Sequence, residues 1–341
     1  MNILLLQLKR IGDLVLTTPA IAAVRKKFPE ANISLIVSSA ARELLPAIPG
    51  LDQSFVASGR IRDASKWFTV ARRKCESCVD FTHSDSSAFL TLLSGARLRV
   101  TSEHVQRQSR MRALSYNRLA NSSLRDQHTV DHYLALLDPL GIRDAAPTLQ
   151  LALPPVALAQ ADHVLAGNKI TGDFLLFHPG SARTEKFWEP DRWSELLAFA
   201  ASKGLPCLIT GGPSALEQTH IAKIRATARI PFIDLSSHID LLTLAALIEK
   251  ARLLVTVDSA PMHLAAATQT PQVVLFGPTN PLHWRPRFAP AVILQAGQPA
   301  PLTVFTPEQK RAPMNLISTR HVIDGMEALL ATPRGAPYER T

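Results

Sequence analysis

The sequence predicts an α/β protein of two similar halves, each a parallel sheet with helices on both faces. Three observations carry that expectation. Apolar runs of strand length alternate with stretches of helical periodicity, and such alternation implies parallel strands joined by crossovers. The chain has 341 residues, which at roughly 150 per domain makes about two domains. Residues 144–156 are rich in alanine and proline, with Pro147, Pro154 and Pro155, and read as the joint.

In the first half, strands are expected at Ile3–Leu8, Ile33–Val37, Ser54–Ala57, Cys78–Thr82 and Arg97–Val100. Helices are expected near 19–27, 41–48, 63–74 and 86–94, and a last one over 129–140 closes the half. In the second half a helix over 157–167 opens the unit. Strands follow at Phe174–His178, Leu205–Thr210, Phe232–Asp234, Leu253–Val257 and Gln272–Phe276, with helices near 191–202, 214–227, 240–250 and 261–268. Leu241, Leu242, Leu244, Ala245, Leu247 and Ile248 give one of these a broad apolar face. The domains are therefore placed at 1–150 and 151–318, followed by a helix at 319–331 and a frayed tail at 332–341. A cleft between the halves is expected.

Composition narrows the class. Apolar residues make up 46% and charged residues 19%, which excludes a largely disordered chain. The net charge of +9 suggests an anionic partner, although solubility alone tolerates it. The excess lies in the first half, where residues 1–150 hold 20 basic and 13 acidic side chains. Within 97–125, seven arginines, among them Arg97, Arg99, Arg107 and Arg110, face only Glu103. No apolar stretch reaches the roughly 18 residues of a membrane span, and the first residues read as a strand rather than a signal peptide. A cytoplasmic protein is expected. Cys75 and Cys78 have C-x-x-C spacing, but one pair cannot complete a four-ligand zinc site; with Cys207 they read as ordinary reduced cysteines.

Open α/β sheets bind ligands beyond the carboxyl ends of their strands, so the loops after each strand are the places to look. The first strand runs into Lys9-Arg10-Ile11-Gly12-Asp13. Gly12 permits a tight turn, and Asp13 is either a cap or a carboxylate at the mouth of the cleft. The further glycines of a dinucleotide fingerprint are absent. After Phe174–His178 comes Pro179-Gly180-Ser181-Ala182-Arg183-Thr184-Glu185-Lys186. Small residues there bring backbone N–H groups near a ligand, and Arg183 and Lys186 add cations, a combination suited to a diphosphate or simply to a solvated loop. Gly211-Gly212-Pro213-Ser214 ends the next strand, and Glu217 can accept from ribose hydroxyls or merely favour a helix start. Asp258-Ser259-Ala260-Pro261 opens a helix whose N-terminal amides make an anion site. His263, one turn in, is a donor contact or a packed core histidine.

Together these residues resemble glycosyltransferase family 9, the ADP-heptose:lipopolysaccharide heptosyltransferases. The motifs are Arg10-Ile11-Gly12-Asp13, His178-Pro179-Gly180 through Lys186-x-Trp188, Gly211-Gly212-Pro213, Asp258-Ser259-x-Pro261-Met262-His263 and Phe276-Gly277-Pro278-Thr279. They fall in order over residues 1 to about 330. The run from Asp258, with Trp284-Arg285-Pro286, is most similar to the heptosyltransferase III branch. The resemblance implies a GT-B fold, two Rossmann-like domains facing a central cleft. It also implies inverting transfer of heptose from ADP-heptose to the inner-core oligosaccharide on lipid A. In that scheme Asp13 is the general base and Lys186 neutralises the donor phosphates. Gly12, Ser181, Ala182, Arg183, Gly212, Glu217, Asp258, Ser259, Ala260 and His263 are the donor-side residues. Arg60, Arg62, Arg97 and Arg99 are acceptor-side candidates for a phosphorylated glycan at the anionic inner-membrane surface, where the enzyme would be peripheral on the cytoplasmic face. No metal or other cofactor is expected, since a lysine and helix amides can carry the charge.

Two departures stand out. Many members have glycine where this chain has Ala260, and a positive φ there would strain alanine. The Arg183-Thr184-Glu185 segment is also longer than in other members. Competing expectations are another GT-B enzyme, such as a UDP-sugar transferase or a nucleotide-sugar epimerase, a non-catalytic two-lobed binding protein, and a nucleic-acid-binding protein. Against the last, aromatic residues are only 6%, too few for stacking platforms.

Overall fold

A computed structural model describes residues 1–57 and 75–333. The expected helix over 63–74, Arg60 and Arg62 lie outside the described residues, as does the tail beyond 333. The chain divides into two units, Met1–Ala152 and Leu153–Thr341.

The first unit carries β1 (Asn2–Gln7), β2 (Asn32–Ser38), β3 (Gln53–Ala57), β4 (Ser77–Asp80), β5 (Leu98–Ser102) and β6 (Arg118–Ala120). They pair in the order β3-β2-β1-β4-β5-β6, all parallel, with Ile3 level with Ile33 on one side and Ser77 on the other. The second unit carries β7 (Leu175–His178), β8 (Cys207–Ile209), β9 (Ile233–Asp234), β10 (Leu253–Val257), β11 (Gln272–Phe276) and β12 (Ala291–Gln295). Their order, β12-β11-β10-β7-β8-β9, repeats the first topology, again wholly parallel. Strands buried on both faces explain the unbroken apolar runs: Ile3 to Leu6 and Leu253 to Val255 are fully buried. In each sheet the chain builds outward one way and then the other, so the strand order reverses between β1 and β4 and between β7 and β10. These are the points where ligands bind in such sheets.

Four local readings are corrected. The first helix runs over Ile11–Lys27 and not from residue 19. Pro19 lies inside it and cannot bond the Val15 carbonyl, but the Thr18 hydroxyl donates to that carbonyl at 2.7 Å. The segment 41–48 is a 3-10 turn, Ser39–Ala47. The 129–140 helix stops at Ala135, and a short turn Asp138–Leu140 follows, ended by Gly141 at φ 74. Strands β6 and β12 and the short helices His104–Gln108 and Arg110–Ala113 were not expected.

The core of the second unit joins β7, β10 and β11 to the helices Pro190–Ser202 and Thr319–Ala331, with Phe177, Trp188 and Trp193 at its centre. Trp193 meets the rings of Phe177 and Trp188 edge-on, and the Trp188 indole donates to the Ile317 carbonyl at 3.0 Å. All three cysteines are reduced thiols. Burial pushes Cys207 up to about 12 and raises Cys78 further, so neither is a ready thiolate at neutral pH. No described helix is long and apolar enough to cross a membrane.

Phe177 is fully buried on a central strand. Phe177→Ala is expected to lower stability by about 3–5 kcal/mol, read as a shift of the urea midpoint followed by tryptophan fluorescence.

Candidate active site

The first constellation lies where β1 and β4 end. Asp13 is in the first turn of the helix Ile11–Lys27 rather than in a loop before it, next to buried Gly12. A carboxylate there is favoured by the helix dipole. One oxygen, Oδ1, accepts from the Tyr133 hydroxyl at 2.8 Å; the other, Oδ2, accepts a long 3.4 Å bond from the Arg10 N–H. Tyr133 is fully buried on the helix Thr129–Ala135, its ring edge-on to Phe81. The Lys9 ammonium stands 3.4 Å from the Tyr133 oxygen. Burial lowers the Lys9 pKa, against an opposing pull from Asp13 and Asp80.

Asp80 ends β4 and is fully buried. Its carboxyl accepts from the Thr82 and His83 N–H groups and from the Tyr116 hydroxyl, yet burial still raises its pKa. His83 follows at φ 65, an uncommon conformation for a residue with a Cβ. Its ring meets that of His132 at 5.3 Å, and His132 Nδ1 is 2.8 Å from the Ser122 hydroxyl. Among the described residues, the buried Nε2 atoms of both rings have no hydrogen-bond partner.

The second constellation lies where β7 and β10 end. Lys186 closes a 3-10 turn, Thr184–Lys186. Its ammonium reaches the Asp258 carboxylate Oδ2 at 2.6 Å and the Asp258 carbonyl at 2.9 Å. Thr279 Oγ1 donates to the same Oδ2 at 2.7 Å. Both partners of the ion pair are largely buried, at 12% and 8% exposure. Asp258 is therefore held by side chains from the loops after β7 and β11 and is not the helix cap. Ser259 occupies the cap position before the helix Ala260–Ala267 without a side-chain capping bond. Ala260 is the first residue of that helix, and it is not among the residues of positive φ. Alanine in place of glycine is thus unstrained here. His263 is buried in the same helix.

Glu217, in the first turn of the helix Ala215–Thr227, accepts from the Gly212 N–H at 2.7 Å. The same carboxylate abuts Gly180, where a Cβ would lie 2.2 Å from Oε2 and would push the Glu217 carboxylate aside. The structure thus joins Gly180, Gly212 and Glu217 in one cluster, and Lys186, Asp258 and Thr279 in another. Ser181 is buried and Ala182 exposed in the loop after β7. Arg183 pairs with Glu185 instead, both partly exposed. Arg97 precedes β5 at its amino end, and Arg99 donates to the Ala96 and Ser115 carbonyls; neither is brought to Asp13.

The comparisons with known proteins show the family and the fold. The family model for glycosyltransferase family 9 (heptosyltransferase) matches residues 68–308. The chain belongs to glycosyltransferase family 9. It is 26% identical over 337 residues to lipopolysaccharide heptosyltransferase 3 of Escherichia coli K12, covering 96% of each chain. It is 24% identical over 297 residues to the lipopolysaccharide core heptosyltransferase OpsX of Haemophilus influenzae, covering 84% of this chain and 81% of that one. Among solved structures it matches a family 9 glycosyltransferase from Veillonella parvula with a TM-score of 0.82, at 24% identity, covering 96% and 97% of the two chains. It matches E. coli ADP-heptose LPS heptosyltransferase II with a TM-score of 0.79, at 20% identity, covering 97% and 98%. The fold is GT-B, two parallel-sheet α/β domains.

In this family 9 enzyme, sequence reasoning missed Tyr133, Lys9, Asp80 and the His83–His132 pair. Lys9 had a signal, since it adjoins the Gly12-Asp13 motif, and Asp80 ends a strand next to the first. Tyr133 had none, because its helix is far away in sequence. Among the described residues no group of three or more histidine, cysteine or carboxylate side chains is arranged to hold a metal ion.

Burial depresses four described histidines in the family 9 enzyme: His178 and His220 to about 4, His132 to about 3, and His83 well below its ordinary value. Unfolded, each takes up a proton near pH 6.5. The unfolded state then binds more protons, so stability is full above that pH and falls as pH drops toward 4. The urea midpoint is expected to decline over this window, and His178→Gln to make the decline shallower.

Proposed function

We propose that this enzyme transfers heptose from ADP-heptose, with inversion at the anomeric carbon, to a hydroxyl of the inner-core oligosaccharide on lipid A. The observation that carries the reading is that the strand-order reversal of the first unit holds the carboxylate Asp13, anchored by Tyr133, and that of the second unit holds the Lys186–Asp258 pair. Membership of family 9 and the activities named for the relatives support the same substrates.

Asp13 acts as general base. Tyr133 holds Oδ1, and Oδ2 takes the proton as the acceptor oxygen attacks C1 of the heptose. The C1–oxygen bond to ADP breaks with its electron pair going to the diphosphate. That growing charge falls to Lys186, which has three N–H donors and spends two on Asp258, and to the first-turn amides of the helix Ala260–Ala267. Asp258 Oδ1, opposite the oxygen held by Lys186 and Thr279, serves the hydroxyls of the donor sugar. Glu217, fixed by Gly212, accepts from the ribose. The charge on the leaving group is thereby assigned to a lysine and amides rather than to a metal ion. The lipid-anchored acceptor places the enzyme peripherally at the cytoplasmic face of the inner membrane, and its phosphates and carboxylates suit the arginines of the first unit, Arg60 and Arg62 included.

The deciding experiment incubates purified enzyme with ADP-heptose and lipid A carrying a truncated core, with the product followed by mass spectrometry. Asp13→Asn is expected to lower kcat by roughly 10²–10⁴-fold while ADP-heptose still binds; Lys186→Ala lowers both kcat and ADP affinity. Preference for UDP over ADP would overturn the reading in favour of another nucleotide-sugar enzyme.

Tyr133→Phe keeps the ring against Phe81 but removes the donor to Asp13. The expected result is a loss in kcat of about tenfold, the worth of one hydrogen bond to a charged group, with the KM for ADP-heptose unchanged. An equal change in both constants would show that the hydroxyl only supports the fold.

A further inference from the structure

Four large apolar side chains of the first unit stand in solvent on two neighbouring helices. Phe89 is 59% and Leu92 51% exposed on the helix Asp85–Leu93; Met111 is 83% and Leu114 79% exposed at the helix Arg110–Ala113. Each pair has a spacing of three, which puts its members on one helix face. Ala88 of the first helix and Ala113 of the second pack inward with Val105 and Tyr116 of the neighbouring segments. The two helices are clamped together where Arg112 donates to Asp85 and to the His83 carbonyl. The apolar residues are therefore displayed by an ordered scaffold.

The surrounding charge is mainly positive, and Asp85, the carboxylate on the same helix as Phe89, is paired with Arg112. Arg107 and Arg110 are exposed beside these residues, in the stretch where seven arginines meet a single glutamate. Protruding aliphatic side chains ringed by cations match the headgroup region of an anionic bilayer, where the apolar groups enter the acyl boundary and the arginines meet lipid phosphates. A second copy of this face would set arginine against arginine. Nucleic acid would need several stacking surfaces, and of these four side chains Phe89 alone is aromatic.

We propose that the face formed by Phe89, Leu92, Met111 and Leu114, with Arg107 and Arg110, is the surface by which this enzyme docks on an anionic phospholipid bilayer. The inference deepens the lipid-acceptor reading above, from which it takes the membrane as partner. It gives that reading a location: the helix Asp85–Leu93 starts directly after His83, at the strand ends where Asp13 and Asp80 lie.

The test is flotation of the full-length protein with vesicles of equal parts phosphatidylglycerol and phosphatidylcholine, against phosphatidylcholine alone. The wild type is expected to float with the anionic vesicles and to be released by high salt. Met111→Ser/Leu114→Ser should weaken binding about tenfold, and Arg107→Glu/Arg110→Glu at least as much, with loss of the salt response. All four positions are exposed, and unchanged urea midpoints verify folding. Equal flotation of both variants and wild type, no wild-type binding to anionic vesicles, or a wild-type dimer in vesicle-free buffer that Met111→Ser/Leu114→Ser dissociates would each overturn the proposal. Transfer to a delipidated core oligosaccharide separates the two readings. The apolar variant should match the wild type on that soluble acceptor and fall behind on acceptor embedded in vesicles. Absence of transfer by the wild type from ADP-heptose would defeat the heptosyl reading while leaving vesicle binding to stand or fall by itself.

Discussion

Parallel pairing constrains everything else in this molecule. When all strands of a sheet run one way, the residues that leave their carboxyl ends are gathered on one edge, however far apart they are in sequence. Where strand order reverses, neighbouring loops diverge to opposite faces and open a crevice. In the first unit that point brings residue 13, which follows β1, beside residue 80, which ends β4. In the second it brings the loop after β7 beside the one after β10, and Lys186 meets Asp258 across 72 positions. The repeated topology therefore produces two polar centres, and chemistry divides between them according to which side chains follow the strands.

Each centre has to make charge tolerable with little water. Burying a lone ion costs several kcal/mol, and the two centres meet that cost differently. Lys186 and Asp258 neutralise each other, and Thr279 adds a hydrogen bond to the shared oxygen. Among the described residues Asp13 has no such ion-pair partner. It is held by a phenol, by its place in a helix's first turn, and at longer range by Lys9, which burial itself makes easier to deprotonate. A neutral donor on one oxygen fixes the carboxylate while leaving it charged and able to accept a proton. A salt bridge in the same place would oppose that proton more strongly.

The sequence was most legible where chemistry and backbone agree. Gly180 and Gly212 mark places where the backbone must pass close to Glu217, and Asp258, Lys186 and Asp13 all follow apolar runs that could only be strands. It was least legible where a local signal misled. Pro19 marks a helix start by its own chemistry, but Thr18 covers the carbonyl that proline leaves open, so the helix begins a full two turns earlier and takes Asp13 into its first turn. β12 was hidden because its apolar run is short and flanked by prolines, and only pairing with β11 makes it a strand. Arg99 looked like a ligand contact for its charge alone; its guanidinium is engaged by two backbone carbonyls, which no residue pattern discloses. Tyr133 needed the fold itself, since 120 residues separate it from the carboxylate it holds.

The strain after β4 ties these themes together. A residue with a Cβ at positive φ costs on the order of 1 kcal/mol, and His83 adopts that conformation because both of its backbone groups are claimed. Its N–H donates to Asp80 and its carbonyl accepts from Arg112. Ser84 next to it then caps the helix Asp85–Leu93 through the Ser87 N–H. The unfavourable backbone thus sets the angle at which that helix leaves the strand end. One consequence is internal, the placement of the His83 ring against His132 beside the Lys9–Tyr133 pair. The other is external, the direction in which Phe89 and Leu92 are presented. A single constrained residue couples the polar rim to the exposed apolar face, so a substitution that relaxed His83 would disturb both together, whereas changes at Met111 or Leu114 would reach only the surface.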